Sequence, residues 1–277
     1  MTLSHGARVA AALGELRGGP VPDIVIEPDA DRLARVIGSA LVARLAAAQA
    51  VHGTASVVLT GGGIGTAVLE RVAALAAAPE HAIVDWTAVD VWWGDERFVP
   101  ADDDQRNELG ARRTLLDPVG VPAERVHAIP ASDAGFAEPE DAAEWYADQL
   151  RAASGEETEC PRFDVLLLGM GHEGHVASIF PESPAAVAES PVVAVHDCPK
   201  PPLTRVSLTF PAICSAEEVW LLVSGDAKAP AVAAALSGAD PVQLPAAGVH
   251  GTRATRWLLD VAAASHLPAV EPGPDGS

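Results

Sequence analysis

The stretch DVLLLGMGHEGHVASIFP, from Asp164 to Pro181, holds the side chains best suited to chemistry in this sequence. Two histidines and a glutamate lie inside its glycine-rich loop, as His172, Glu173 and His175. A histidine titrates near neutral pH and can serve as a general base when a carboxylate orients its ring. The sequence predicts that His175 activates a water molecule, that Glu173 belongs to the catalytic group, and that His172 is a bystander.

The elements on either side of this loop must position the cluster. Val165–Leu168 is an unbroken apolar run ended by glycine, typical of a strand covered on both faces in a parallel sheet. The closely spaced glycines let backbone N–H groups approach a ligand, because no side chain blocks them. Val176–Ile179 is predicted to form a short helix that Pro181 ends. A strand end, a glycine loop and a helix N-terminus together describe a ligand site of an open α/β sheet.

A metal site is not predicted in this loop. Zinc proteases place two histidines at i and i+4 on a continuous helix, whereas His172 and His175 are closer together and Gly174 separates them. A nucleophilic role for Ser178 is a weaker alternative, because no GxSxG elbow surrounds it. Ser178 is expected instead to cap or brace the loop.

A second glycine turn follows another predicted strand. Ala55–Thr60 is a β-type run, and Gly61, Gly62 and Gly63 then lead into a helix predicted from Ile64 to Ala77. Free N–H groups at such a turn can hold a phosphate or another anion. The turn is not a Walker A motif and does not match GxGxxG cleanly. An anion site and a simple tight turn are equally supported by this turn alone.

A third polar segment follows the predicted strand Thr87–Trp93. Asp95, Glu96 and Arg97 supply two acids and a cation at the strand end, which is suitable chemistry for a polar site. The alternative is a solvated loop with a local salt bridge. The tryptophans directly before the segment indicate a buried strand and a well-anchored loop, which favours the functional interpretation.

Composition and charge restrict the partners. The 277 residues are 49% hydrophobic and carry 18 basic against 38 acidic side chains, a net charge of −20. Such an acidic surface repels nucleic acid and anionic membrane, so neither is predicted as a partner. Against that field, the cations near the polar turns become candidates for binding an anionic ligand. They are Arg97, Lys200 and Arg205.

Cysteine usage and the apolar pattern predict a cytoplasmic enzyme. The three cysteines are an odd number without a CxxC pair, which argues against a disulfide framework or a structural zinc site. The N-terminus lacks a charged-then-apolar signal pattern, and no apolar run is long enough to span a bilayer.

Strands and helices alternate along the whole chain. Besides the segments above, strands are predicted at 23–27, 126–129, 191–195, 206–210, 219–223 and 257–259, and helices at 4–17, 31–49, 105–116, 138–153 and 226–236. This alternation predicts one α/β domain over residues 1–267, with a mainly parallel sheet and helices on both faces. The Pro- and Gly-rich residues 268–277 are predicted to be a disordered tail.

The loop motif resembles that of a known family. Gly169–Pro181 is similar to the G-x-G-x-D-G-H-T-A-S-L-F-P motif of the 6-phosphogluconolactonase family. Three further segments match the same family in the expected order, and the resemblance spans roughly residues 20 to 265. These segments are Thr60–Gly63, Trp93–Pro100 with Arg106 and Asn107 downstream, and Lys200–Thr209.

The resemblance implies a Rossmann-like fold shared with glucosamine-6-phosphate deaminase and ribose-5-phosphate isomerase, with no metal and no organic cofactor. It implies a phosphorylated sugar lactone as substrate, and hydrolysis of 6-phospho-D-glucono-1,5-lactone as the reaction. His175 is then the base, and Asp95 binds sugar hydroxyls or orients the base. The glycine loops bind the substrate and stabilise the oxyanion through backbone N–H groups, and three cations bind the phosphate. The expected binding residues are Gly61, Gly62, Gly171, Arg97, Lys200 and Arg205.

Two positions depart from the family pattern, and other functions remain open. Glu173 replaces the usual Asp, and Val176 replaces the usual Thr and so lacks a hydroxyl. An aldose–ketose isomerase or deaminase on the same fold would use a carboxylate, such as Asp95, to abstract a C2 proton. A sugar-phosphate sensor would need a DNA-binding segment, which residues 1–20 are too short and too weakly basic to form. The oligomeric state is expected to be a monomer or a homodimer.

Overall fold

Two β-sheets are present in residues 23–78, 83–155 and 158–268, which the computed structural model describes. The larger sheet has six strands, and every neighbouring pair in it is parallel. In spatial order its strands are β1 (Asp23–Glu27), β9 (Ala254–Asp260), β8 (Glu218–Val223), β5 (Val165–Gly169), β2 (Ala55–Leu59) and β3 (Val89–Trp93). The predicted α/β fold with a mainly parallel sheet is confirmed.

The smaller sheet was not predicted. Its three antiparallel strands lie in the order β4 (Asp95–Arg97), β7 (Arg205–Leu208) and β6 (Val192–Val195). The sequence predicted a loop at 94–100, because an Asp-Glu-Arg triplet has no β-type pattern. Pairing with β7 makes it a strand, and the register sets Asp95 opposite Ser207 and Arg97 opposite Arg205.

Six α-helices of four or more residues surround the sheets in the described part of the chain. They are α1 (Ala30–His52), α2 (Gly62–Ala76), α3 (Asn107–Ala111), α4 (Pro139–Ala153), α5 (Phe210–Ile213) and α6 (Ala229–Leu236). Helix α1 begins one residue earlier and ends three residues later than the predicted 31–49. Asp29 accepts a hydrogen bond from the backbone N–H of Arg32 at 2.8 Å, and Gly53 closes the helix in the left-handed conformation, with φ of 76°.

Helix α1 is long and apolar enough, by length and composition alone, to cross a membrane. Leu33, Ile37, Leu41 and Leu45 on one of its faces are almost fully buried in the hydrophobic core. Burial of one apolar stripe is the pattern of a helix packed within a folded domain.

Two predicted elements were wrong. Val126–Ile129 is not a strand, since only Val126 forms a bridge, to Val91. Val176–Ile179 is not a helix but a tight turn, in which the N–H of Ile179 donates to the carbonyl of Val176 at 2.9 Å. Val176 and Ile179 are both fully buried, and Val176 also bridges back to Met170. Tertiary burial of these β-branched side chains overrides the local pattern, so no helix N-terminus follows the histidine loop.

Other predicted bounds differ mostly at element ends. The helix predicted over 105–116 begins at Asn107 and continues beyond α3 as a wider π-type segment, Arg112–Leu116. The helix predicted over 226–236 begins with a 3₁₀ turn, Asp226–Lys228, before α6. The helix predicted over 4–17 and the tail from 269 onward lie outside the described residues.

Candidate active site

A cavity of about 930 Å³ opens where strands β2, β3, β5 and β8 end. The carboxyl ends of parallel strands meet at one edge of a sheet, which is where open α/β sheets bind ligands. The cavity brings together nearly all the predicted site residues. Those that line it are Gly61, Gly62, Asp95, Arg97, Gly171, His175, Lys200 and Arg205. Glu173 lies behind His175 and is not part of the lining.

His175 and Glu173 form a close pair at the wall of this cavity. Nδ1 of His175 lies 3.0 Å from Oε1 of Glu173, although the N–H direction is too far off line for a regular hydrogen bond. Burial lowers the pKa of His175, against the opposing charge of Glu173, and Lys200 lowers it further. The imidazole is therefore neutral at physiological pH, as a general base must be.

Glu173 is a strong acid in its surroundings. Burial raises its pKa, but its own backbone N–H, His175 and Lys200 outweigh that effect and bring the pKa to about 2. Nζ of Lys200 lies 3.3 Å from each carboxylate oxygen, and Nδ1 of His172 lies 3.1 Å from Oε2. One carboxylate thus contacts three basic side chains.

Gly171 makes room for the pair. A Cβ at Gly171 would lie 2.1 Å from Nδ1 of His175 and 2.6 Å from Oε2 of Glu173. The loop is also closed by its own backbone, since the N–H of Gly171 donates to the carbonyl of His175 at 3.0 Å. Gly174 has φ of 87°, a conformation that side-chain-bearing residues rarely adopt. The glycines therefore serve the packing of the base and not only the approach of a ligand.

The turn after His175 supports the polar wall of the cavity. Ser178 is fully buried, and its Oγ donates to Oδ2 of Asp95 at 2.7 Å. Nη1 of Arg205 lies 3.5 Å from the same hydroxyl. The ring of Phe180 packs beside His175, with centroids 4.6 Å apart, and under the guanidinium of Arg205 at 5.6 Å. The predicted bracing role of Ser178 agrees with this geometry.

Glu96 anchors the segment that carries Asp95 and Arg97. Its buried carboxylate accepts from the backbone N–H groups of Arg97, Asn107 and Glu108, each at 2.8 Å. Burial raises the pKa of Glu96, although Arg106 and these three donors oppose the change. The carboxylate thereby caps the N-terminus of α3 from a distant part of the chain.

The first glycine turn presents unused backbone donors. Gly61 is the N-cap of α2 and has no side chain to cap the helix. The amides of Gly62 and Gly63 have no hydrogen-bond partner within the described ranges. By contrast, the amides of Gly169, Gly171 and Gly174 are all engaged, with Thr60 Oγ1, His175 O and Gly171 O. Free donors of the kind an anion needs therefore lie at the start of α2.

Four cations line the cavity on the side of the small sheet and of strand β8. Besides Arg97, Lys200 and Arg205, they include Lys228 from the turn before α6. Burial lowers the pKa of Lys228, while Asp260 opposes this and Lys200 adds to it. Lys228 was not predicted as a site residue. Lysine scarcity could have indicated it, because the chain has only two lysines, Lys200 and Lys228, and both line the cavity.

Arg205 has less freedom than the sequence suggested. Its Nε donates to the carbonyl of Pro202 at 3.1 Å, and its Nη2 donates to the carbonyl of Lys200 at 3.0 Å. The side chain is 7% exposed, and Nη1 also lies 3.9 Å from Oδ2 of Asp95. Arg205 therefore shapes the 200–202 segment as well as the cavity wall. The opposite rim carries an ion pair between Arg71 and Asp31, which sequence reasoning also missed.

One grouping of possible metal ligands lies away from the cavity, at the other end of strand β5. It consists of His52, Asp164 and Glu217. Arg44 already supplies positive charge there, with Nη2 lying 2.6 Å from Glu217 and 3.6 Å from Asp164. Arg162 adds a second contact to Asp164 at 3.3 Å. These residues are best described as an arginine–carboxylate network.

The fold and the cavity together define an α/β protein with an enzyme-type site for a small anionic molecule. A neutral, partly buried imidazole, a paired carboxylate and several cations meet at the carboxyl edge of a parallel sheet. The chain belongs to the family described as "Glucosamine-6-phosphate isomerases/6-phosphogluconolactonase", which matches residues 28–257.

Individual relatives agree with this assignment. The chain is 50% identical over 251 residues to a 6-phosphogluconolactonase of Streptomyces coelicolor, covering 89% of this chain and 95% of that protein. The structure of 6-phosphogluconolactonase from Trypanosoma brucei superposes with a TM-score of 0.75 at 27% identity, covering 89% of this chain and 99% of the other. A monomeric glucosamine-6-phosphate deaminase shares the fold, with a TM-score of 0.73 at 17% identity over 88% of this chain and 99% of the other.

Proposed function

We propose that this protein hydrolyses 6-phospho-D-glucono-1,5-lactone to 6-phospho-D-gluconate, the second step of the oxidative pentose phosphate pathway. The observation that carries the proposal is that His175, backed by Glu173, lines the same cavity as Lys200, Arg205 and Lys228. The 50% identity to the Streptomyces coelicolor lactonase supports this choice of substrate.

The base in this proposal is the neutral imidazole of His175. With Nδ1 only 3.0 Å from Oε1 of Glu173, Nε2 is the ring nitrogen left to take a proton from water. The resulting hydroxide attacks the lactone carbonyl and forms a tetrahedral oxyanion. When the ring C–O bond breaks, the departing ring oxygen takes the proton back from the imidazolium. Glu173, which stays ionised far into the acid range, stabilises that imidazolium.

The oxyanion needs donors that are free before the substrate arrives. The unpaired amides of Gly62 and Gly63 are such donors, while the amides of Gly169, Gly171 and Gly174 already have partners. This role therefore belongs to the N-terminus of α2. Gly171 acts mainly by leaving space for the base.

The phosphate of the substrate requires cations gathered against the acidic surface. Lys228 and Lys200 are the flexible candidates, and Arg205 and Arg97 line the same cavity. Asp95 is 6% exposed and has one carboxylate oxygen bound to Ser178, which leaves the other for a sugar hydroxyl. We further propose a cytoplasmic monomer or homodimer, with residues 1–267 forming one domain.

The test compares two reactions with the purified protein. Lactone produced in situ should disappear faster than its spontaneous hydrolysis allows, in proportion to protein concentration. Ammonia release from glucosamine 6-phosphate should stay at background. If the protein released ammonia from glucosamine 6-phosphate and did not accelerate lactone hydrolysis, the deaminase activity would be assigned to it instead.

A further inference from the structure

Glu173 has two competing partners at the cavity wall. Its Oε1 lies 3.0 Å from Nδ1 of His175 and 3.3 Å from Nζ of Lys200, so the base and the cation share one carboxylate oxygen. The second oxygen, Oε2, lies 3.3 Å from Nζ of Lys200 and 3.1 Å from Nδ1 of His172. Lys200 therefore takes a large part of the negative charge that would otherwise act on His175.

Lys200 is also free to leave Glu173. Its side chain is 43% exposed and lines the catalytic cavity, together with Lys228 and Arg205. An exposed lysine has a flexible stem and three donors, so it can follow a new anion at little cost. A phosphate carries more charge than a carboxylate and so competes well for the same ammonium group.

Resting on the proposed function, we propose that Lys200 is a positioning residue that leaves Glu173 for the substrate phosphate and so releases Oε1 of the carboxylate to His175. In the empty site Lys200 and His175 share that oxygen. With the phosphate bound, Oε1 serves His175 alone while His172 keeps its contact with Oε2, and the imidazole becomes a stronger base when a substrate is present. This coupling adds a step to the base mechanism and needs no movement of the backbone.

The charges around His175 decide the sign of the effect. Glu173 and Asp95 raise its pKa, and Lys200 lowers it. His172 contacts Glu173 from the solvent side, and Arg205 lies across the ring of Phe180. Removing Lys200 or drawing it away must therefore raise the pKa of His175. The negative charge of phosphate also raises the pKa of His175 directly. The informative quantity is therefore the difference between the pKa changes that phosphate causes in proteins with and without Lys200.

The experiment is an NMR titration of the full chain with ¹³C-labelled histidine and lysine, using inorganic phosphate as the probe. His175 is assigned by its absence in His175→Asn, and each of the two lysines by its absence in a glutamine variant. In the wild type, phosphate should raise the pKa of His175 and shift the Lys200 signal. In Lys200→Gln without phosphate, the pKa of His175 should already be raised, and phosphate should raise it by less. In Glu173→Gln, the Lys200 signal without phosphate should already differ from that of the free wild type, because Lys200 has lost its contact with the carboxylate.

Lys228→Gln is the matched control, because Lys228 lines the cavity but does not contact Glu173 within 4.0 Å. Its loss should leave the pKa of His175 in the free protein unchanged. The proposal is overturned if Lys200→Gln also leaves that pKa unchanged, if phosphate raises it equally in both proteins, or if phosphate has no effect on the wild type. None of these NMR measurements uses the lactone. A protein whose His175 and Lys200 signals respond as expected, but which does not hydrolyse the lactone, would contradict the proposed function and not this proposal.

Discussion

Nδ1 of His175 lies 3.0 Å from Oε1 of Glu173, in a wall from which a single added Cβ at Gly171 would displace both side chains. Three residues at alternate positions of one loop take part in this contact. Gly171 leaves the space, Glu173 supplies the carboxylate and His175 supplies the imidazole. His175, Lys200 and its own backbone N–H keep Glu173 ionised against the effect of burial, whereas burial keeps His175 neutral around physiological pH. In the proposed mechanism His175 therefore transfers the proton, and Glu173 stabilises the charge of the imidazolium.

Replacing the base should lower turnover without unfolding the protein. His175→Ala should reduce kcat for lactone hydrolysis by about 10²–10⁴-fold, the share that a general base contributes. His196→Ala is a suitable control, since His196 is half exposed and pairs with Glu140 outside the catalytic cavity. Steady-state kinetics measures kcat for both variants, and circular dichroism checks that both are folded. Wild-type turnover in a folded His175→Ala protein would remove His175 from the mechanism.

The pH dependence of kcat/KM should follow the free imidazole of His175. The base must be neutral, so activity falls as pH drops through its pKa. Burial lowers this pKa, and the fall should therefore begin below about pH 6.5, the ordinary histidine value. Glu173→Gln removes the charge that raises the pKa, so its fall should come at still lower pH. Initial rates corrected for spontaneous lactone opening give both profiles, and an acid limb above the ordinary histidine value contradicts the assignment.

Ser178→Ala should separate bracing from nucleophilic catalysis. The hydroxyl donates to Oδ2 of the buried Asp95, and its loss leaves that oxygen without a hydrogen-bond donor, since Nη1 of Arg205 is 3.9 Å away; the cost is about 1–3 kcal/mol in the free energy of unfolding. Turnover should fall only modestly, because Ser178 is fully buried. Urea denaturation and kcat are measured on the same preparation. Unchanged stability together with an almost complete loss of turnover would support the nucleophilic alternative.

Lys228→Ala should weaken substrate binding more than turnover. A charge-assisted hydrogen bond contributes about 1.5–3 kcal/mol, so KM should rise by about 10- to 150-fold. Arg113→Ala changes the net charge equally but removes a cation that is 62% exposed and pairs with Asp104 outside the cavity. That control should leave KM nearly unchanged. Equal rises in KM for the two variants would point to the overall charge and not to a contact in the cavity.

The sequence was sufficient for the parts of the site that are local in the chain. Apolar runs ended by glycines predicted strands β2 and β5, and the His172–His175 loop contained both members of the His175–Glu173 pair. These signals are read within a few residues, because strand burial and glycine turns are set by neighbouring side chains.

The remaining parts depend on pairing between distant segments. Strand β4 exists because Asp95 lies opposite Ser207 in the register with β7, and no pattern within Asp-Glu-Arg specifies that partner. The same pairing places Asp95 beside Ser178 and Arg205. Lys228 reaches the cavity from the end of β8, and the sequence of β8 alone does not predict which strands lie beside it in the sheet. Such contacts are tertiary, and local propensity is a weak guide to them.

Gly171→Ala tests whether space beside the base limits the reaction. The new methyl group would lie 2.1 Å from Nδ1 of His175 and 2.6 Å from Oε2 of Glu173, both too close for any real contact, so the pair must separate. Since catalytic groups tolerate little misplacement, kcat should fall by about 10²-fold or more. Gly110→Ala is the matched control, because a methyl group there meets nothing within 4 Å and Gly110 lies outside the catalytic cavity. In a helix that change should add a few tenths to about 1 kcal/mol of stability, with turnover unchanged. Equal turnover in the two variants, with both proteins folded, would show that the His175–Glu173 pair tolerates displacement and that its close contact is not needed for hydrolysis.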